Sequence, residues 1–346
     1  MTFEDRRQDW QEEPVGQEEE RPSGRRRGHL LGILLCLLLT GAGAGLLFRD
    51  MGRDYRHGVY RCEGGRMLEE PAVPDPVKTA ETAAGIEVIA QQHPEIPQYM
   101  MLVPAAAYTQ ERFLPEGVRI RDQGADLTAI HSSMPASLHW IDLTELFSEH
   151  EGEKLFYATD PRLTGWGSRY AAKAALEGME AEIPEGKDTC YLLSDSFQGT
   201  LAKDDLLTRQ FLDKKTERVE IYVPEGEVPY YRVDAATGSW SGSMYDSSAV
   251  AGDDPMNVFF GGERPLTEIY TAAVNGEILL VVGDTIADSV VPRFVSSYEQ
   301  IIFMHPARSA ATVEKMIKKY HPTRILYLYG ANGFMKDRAL LRALGM

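Results

Sequence analysis

The sequence predicts an α/β protein, a parallel sheet with covering helices, carried on one transmembrane helix near the N-terminus. Three observations predict it. Strand-like and helix-like segments alternate from residue 77 onward, which is the pattern of a parallel sheet with helices on its faces. Several strand candidates, such as ILLVVG (278–283) and RILYLY (324–329), are apolar throughout, as expected of strands covered on both sides. Leu30 to Phe48 is a run of 19 uncharged residues, which spans roughly 28 Å as a helix and matches the hydrocarbon core of a bilayer.

The first segment, residues 1–28, is rich in Glu and Arg with almost nothing to bury, and reads as a disordered tail. Residues 29–48 read as the membrane helix. Arg25, Arg26 and Arg27 precede it directly, so the excess of positive charge places the tail in the cytoplasm and the main domain outside, although Arg49, Arg53 and Arg56 reduce the contrast. A cleaved signal peptide is the competing reading, with Ala42-Gly43-Ala44 as the small-residue site. The long apolar run and the polar tail before it favour an anchor over a signal. Gly41 and Gly45 have GxxxG spacing, a weak dimerisation signal in a Gly-rich segment.

Residues 49–76, with Pro71, Pro74 and Pro76, read as a stiff linker, and the folded domain is expected to begin near Val77 and run to 346. Within it, 77–92 reads as a helix, QYMMLV (98–103) as a buried strand, SLHWI (137–141) and KLFYA (154–158) as further strands, and an Ala-rich helix follows. The C-terminal third gives ILLVVG, a helix through 286–297, IIFM (301–304), a helix at 310–320 and RILYLY. Residues 190–275, rich in Gly, Asp, Ser and Tyr, read as a β-rich excursion from the sheet.

The net charge of −16 excludes nucleic acid as a partner, because phosphate neutralisation needs clustered Lys and Arg in excess. Of three cysteines, Cys36 lies in the membrane run, which leaves Cys62 and Cys190 either paired or separate. No Cys/His spacing suggests a metal site, and no cofactor is implied.

Ligands of open parallel sheets bind beyond the carboxyl ends of the strands. Two loops therefore matter: Thr159-Asp160-Pro161-Arg162-Leu163-Thr164, and Gly283-Asp284-Thr285-Ile286-Ala287-Asp288-Ser289. With MLVPAAAY (101–108), DSFQGTLA (195–202), VFFGGERPL (258–266) and LYLYGANGF (326–334), these loops resemble the DHHW proteins of Gram-positive bacteria, over about 77–335. Those proteins are relatives of the SGNH-hydrolase-like proteins that O-acetylate alginate and other cell-surface polymers. The family's first loop reads approximately T-D-H-H-W-T and its second K-D-S-Y-A-N-S.

The resemblance implies an SGNH-hydrolase-like fold and acyl transfer. A Ser after the second strand attacks an ester, a His from the first loop takes its proton, and an Asp two residues earlier orients the His. It also implies two partners, a multi-spanning membrane O-acyltransferase and a cell-surface polysaccharide.

This chain departs from the pattern where chemistry would occur. Asp160 stands at the orienting carboxylate, but Arg162 stands at the base, and a guanidinium never gives up its proton in this range. Thr285 stands at the nucleophile, its β-methyl stiffening χ1, and Asp288 replaces the Asn. Pro161 and Leu163 replace the other His and the Trp. The resulting expectation is a protein without turnover that binds or scaffolds at the cell envelope. The alternative is an O-acyltransferase or esterase using Thr285 with an unconventional base. Ser289 and His305 are accessory candidates for a rearranged pair, or else a packed helix residue and a loop histidine. Asp160 with Arg162 reads either as an anion clamp or as a structural ion pair, and Asp284 as the cap of the following helix. Tyr222, Tyr230, Tyr231 and Trp240 either stack on sugars or cover a sheet edge.

Overall fold

The computed structural model describes residues 55–346, apart from Glu185, residues 204–215, Glu227 and Asp253. The tail at 1–28 and the membrane run at 29–48 lie outside the described residues. Among the described residues no helix is long and apolar enough to cross a membrane.

Thirteen strands are described: β1 (Tyr55–Arg56), β2 (Val59–Cys62), β3 (Arg66–Glu69), β4 (Gln98–Val103), β5 (Leu138–Ile141), β6 (Asp188–Phe197), β7 (Glu217–Pro224), β8 (Tyr230–Asp234), β9 (Trp240–Ser241), β10 (Leu266–Thr271), β11 (Ile278–Gly283), β12 (Gln300–Met304) and β13 (Arg324–Gly330). The main sheet has the order β5-β4-β13-β11-β12-β10-β8-β9. Its first five strands are parallel, and β10, β8 and β9 continue it antiparallel. The sheet is thus mixed, where a parallel one was expected.

Both faces of the parallel half are covered. Alternate residues of β11 and β13 point to opposite sides: Val281 and Leu328 join one core with Ala171 and Ala175 of the helix Gly165–Gly178, while Leu280 and Tyr327 join the other. The second core is closed by Ile86 and Ile89 of the helix Pro76–Gln92 and by Met316 and Ile317 of the helix Val313–Tyr320. The first of these begins with Asp75 accepting from Val77 N and Lys78 N, with Pro76 at the position where its missing N–H costs nothing. Thr312 caps the second through Lys315 N.

Four expectations change. Residues 55–69, assigned to the linker, form a three-stranded antiparallel sheet whose Tyr60, Cys62 and Leu68 enter the first core, so the folded unit reaches back to Tyr55. Residues 190–275 are only partly an excursion: β6 and β7 form their own two-stranded sheet, but β8, β9 and β10 belong to the main one. KLFYA is buried but joins no sheet. It is held by a bridge from Phe156 to Leu163, and Ala158 O accepts from Met67 N at 2.6 Å. Its apolar run records burial between layers, and a short apolar run does not by itself distinguish the two. The helix at 286–297 divides into Ala287–Val290 and a 3₁₀ turn Val291–Phe294 with Pro292 inside it. Cys62 is buried, Cys190 exposed, and no disulfide joins them.

Candidate functional site

The strands β4, β11 and β13 run parallel, so Val103, Gly283 and Gly330 end them side by side. The loops leaving these ends, with the 159–164 loop opposite, enclose a cleft of about 740 Å³, counting the space at its open mouth. Asp160, Arg162, Asp284 and Thr285 all line it, together with Glu69, Asn332 and Lys336. The cleft is open and not filled by side chains.

The first loop is fixed by buried polar contacts. Glu217, at the start of β7, accepts from Ala158 N at 2.6 Å, Thr159 N at 2.9 Å and Thr159 Oγ1 at 2.9 Å. Gly199 packs so closely that a Cβ there would lie 2.1 Å from Thr159 O, which only Gly permits. Asp160 is 1% exposed and Arg162 8%. Arg162 donates from Nε to Asp160 Oδ1 at 2.6 Å and from Nη2 to Oδ2 at 2.8 Å, a fork matching a carboxylate. The same guanidinium donates from Nη1 and Nη2 to Asp254 at 3.0 and 3.1 Å. Thr200 N adds a bond to Asp160 Oδ2 at 2.9 Å. Burial opposes ionisation of Asp160, but Arg162 and these N–H groups outweigh it and hold the carboxyl below its ordinary range. Four of Arg162's five N–H groups are thereby directed at two protein carboxylates. Of the two sequence readings, a structural ion pair fits this geometry and an anion clamp does not.

The second loop is held differently. Asp284 accepts from Ile286 N at 3.0 Å and from Gly330 N at 3.1 Å, so it ties the end of β11 to the end of β13. A Cβ at Gly333 would fall 2.3 Å from Asp284 Oδ2, so the close approach requires Gly. Asp284 therefore braces two loops, and the helix Ala287–Val290 has no side-chain cap. Burial raises the Asp284 carboxyl to about 7, the two N–H bonds acting against it. The Thr285 hydroxyl, half-buried in the cleft, makes no hydrogen bond to any described residue.

The accessory residues lie around this loop but do not assemble a nucleophile. Asp288 and His305 form a buried pair, Oδ1 to Nε2 at 2.9 Å. Burial pushes the Asp288 carboxyl up; for His305 it opposes the charged ring, but the bond to Asp288 outweighs it and raises the ring too. Ser289 accepts from Ser168 Oγ at 2.7 Å and donates to Ile286 O at 3.3 Å, packing against the helix Gly165–Gly178. The structure does not join Ser289 to His305.

Sequence reasoning missed Glu217, Asp254, Thr200 and Asn332. Asn332 bridges Ala72 N, at 2.8 Å, to Glu69 Oε2, at 2.9 Å, across the floor of the cleft. Its signal was the GANG of LYLYGANGF, and that of Asp254 was the Asp-Pro start of a helical turn at 254–255.

The sequence matches no protein-family model, and no curated protein matches it. Solved structures do match the fold. A DHHW family protein from Eubacterium siraeum superimposes with a TM-score of 0.69 at 19% identity, covering 83% of this chain and 95% of that one. PatB1 of Bacillus cereus gives 0.66 at 17% identity, covering 81% and 98%. The O-acetyltransferase domain of Pseudomonas putida AlgJ gives 0.50 at 14% identity, covering 83% and 99%. The fold of this chain is therefore the one these structures share, as the resemblance of its loops implied.

Proposed function

We propose that the chain is a membrane-held, non-catalytic member of this structural group that assists O-acylation of a cell-envelope polymer. Its cleft binds a cell-surface polysaccharide beside a multi-spanning membrane O-acyltransferase. One observation carries the reading: where a base is required, Arg162 is locked between Asp160 and Asp254, and the Thr285 hydroxyl has no hydrogen-bond partner among the described residues. Without a base, a hydroxyl is a poor nucleophile at neutral pH. The apolar run at 30–48 supplies the anchor, with the tail cytoplasmic and the domain outside. A protein without turnover acts only where it is held, so retention of the full-length chain in membranes after carbonate extraction tests this part.

The chemical part is tested with p-nitrophenyl acetate and with a sulfonyl fluoride. PatB1 has been solved with a sulfonyl adduct. Here we expect no hydrolysis above background and no mass increase on Thr285. Hydrolysis abolished by Thr285→Ala would overturn the reading.

One observation favours the enzymatic alternative. Asp284 adjoins Thr285, and its carboxyl is raised to about 7, near the range of a general base at neutral pH. In that case activity would rise through neutral pH and disappear in both Thr285→Ala and Asp284→Asn.

A further inference from the structure

The helix layer over the second face of the sheet stops at β10. Val313–Tyr320 is the last described helix on that side, and its Lys319 and Tyr320 bond Glu268 of β10. Beyond it no described helix covers the face, and the residues there are aromatic. Strand register puts them on one side: Tyr231 pairs with Tyr270, Val233 with Glu268, and Val233 with Trp240, directly opposed residues sharing a face. Tyr231 and Tyr270 stack with centroids 5.1 Å apart and planes 17° from parallel. Tyr231 is 47% exposed and Trp240 76%. Of the remaining aromatic candidates, Tyr230 lies on the opposite face against the first core and Tyr222 packs at a tilt against Trp166.

Scattered exposed apolar residues need no explanation, but adjacent rings at the same uncovered edge do. The patch has polar groups set among the rings. Glu268 accepts from Tyr270 Oη at 2.6 Å, from Tyr320 Oη and from Lys319 Nζ at 3.2 Å, so a carboxylate and an ammonium are held in fixed places. Flat ring faces with a fixed rim of hydrogen-bonding groups match a sugar ring, which has an apolar C–H face and a hydroxyl edge.

The alternatives fit less well. Three partly exposed rings offer on the order of 400 Å², whereas a stable protein interface needs about 800 Å² from each partner. An anionic bilayer is repelled by a chain of net charge −16. The same charge disfavours an anionic polymer.

We infer that the sheet edge formed by Tyr231, Trp240 and Tyr270 is a stacking site for neutral β-linked glycan, separate from the cleft. It lies three strands from β11, roughly 14 Å across the sheet, and its Tyr270 is level with Ile278, a further distance of roughly 17 Å along the strand from the cleft end. A polymer chain is long enough to engage both places, which would raise the local concentration of acceptor at the cleft. The inference rests on the proposed polysaccharide role only for the choice of ligand class.

The test is calorimetric titration of the full-length chain in detergent with chitohexaose and with cellohexaose. Binding of at least one at millimolar concentration is expected, weakened about tenfold by Trp240→Ala and by Tyr231→Ala, and unchanged in Val88→Ala, an exposed position on the helix Pro76–Gln92. Both patch residues are exposed, and circular dichroism of the two variants checks that they fold. Failure of both sugars to bind overturns the site. Binding that survives both patch variants but is lost in the cleft variant Lys336→Ala overturns the site while sparing the proposed function. Self-association, or uptake by phosphatidylglycerol vesicles, that Trp240→Ala abolishes in the absence of sugar binding would also overturn it.

Discussion

The two loops that meet at the cleft each carry an aspartate, Asp160 buried and Asp284 half-buried, and the two are treated in opposite ways. Asp160 faces a guanidinium that forks onto it, and its carboxyl is held below the ordinary range. Asp284 receives only backbone N–H groups, and burial lifts it to about 7. The first loop is therefore an electrostatic lock, a charge triad that fixes geometry and leaves no group able to move a proton. The second loop holds a carboxyl that burial raises to about 7, beside a hydroxyl with no hydrogen-bond partner among the described residues. The difference lies in the partner: Arg162 joins Asp160 to Asp254, whereas Asp284 is held by backbone N–H groups.

Breaking the lock should have the largest effect. Arg162→Met leaves Asp160 and Asp254 facing each other without the cation, and an uncompensated buried charge costs about 3–5 kcal/mol. The measurement is urea unfolding of the chain at neutral pH, where the midpoint should fall sharply. The pH dependence gives a second check with a definite sign. Asp160 in the folded chain releases its proton at lower pH than in the unfolded chain. Its contribution is therefore complete above the ordinary carboxylate range and is lost as pH falls through the folded value. Arg162→Met should remove this acid sensitivity. If the variant matched the parent in stability, the triad would be a surface feature and not a lock.

Asp284 should show the reverse sign with a smaller amplitude. Between the ordinary value, about 4, and its folded value, about 7, the unfolded chain has lost the proton that the folded chain keeps. Stability therefore declines as pH rises through that window, by on the order of 2 kcal/mol after allowance for solvent at the cleft mouth. Asp284→Asn keeps an acceptor for Ile286 N or Gly330 N and should flatten the slope between pH 4 and 7. Unfolding measured at several pH values reads this directly, and an unchanged slope would assign the titration to another group.

How far this site was legible in the sequence depends on the range of the contacts. The central strands were readable because both faces are buried and their apolar runs are unbroken: ILLVVG and QYMMLV coincide with β11 and β4. Their ends located the second loop, and Asp160, Arg162, Asp284 and Thr285 do line one cleft. The partners that decide what those residues do were not readable. Asp254 lies 92 residues from Arg162 and Glu217 lies 58 from Thr159, and nothing local marks such pairs. The antiparallel end of the sheet was missed for a related reason. The strands β8 and β9 are short, lie among Gly, Ser and Asp, and bury one face only, so their pattern resembles a loop excursion.

The smallest effect is the one that separates the two loops most cleanly. Thr285 projects into the cleft, half-buried, with no hydrogen bond to lose, so Thr285→Val should change stability within about 0.5 kcal/mol. That contrasts with Arg162, which stands only across the cleft. If the second loop is a binding surface, the same substitution should alter acceptor affinity in the cleft while leaving the sheet-edge patch untouched. A nuclear magnetic resonance titration with chitohexaose would show the two as separate sets of shifted signals. A change near Thr285 with none near Trp240 would place all glycan contact at the cleft. Shifts at both, with only the cleft set altered in Thr285→Val, would establish two independent contacts for one polymer. A large destabilisation by Thr285→Val would instead mean that its hydroxyl is held by the fold and is not presented to a ligand.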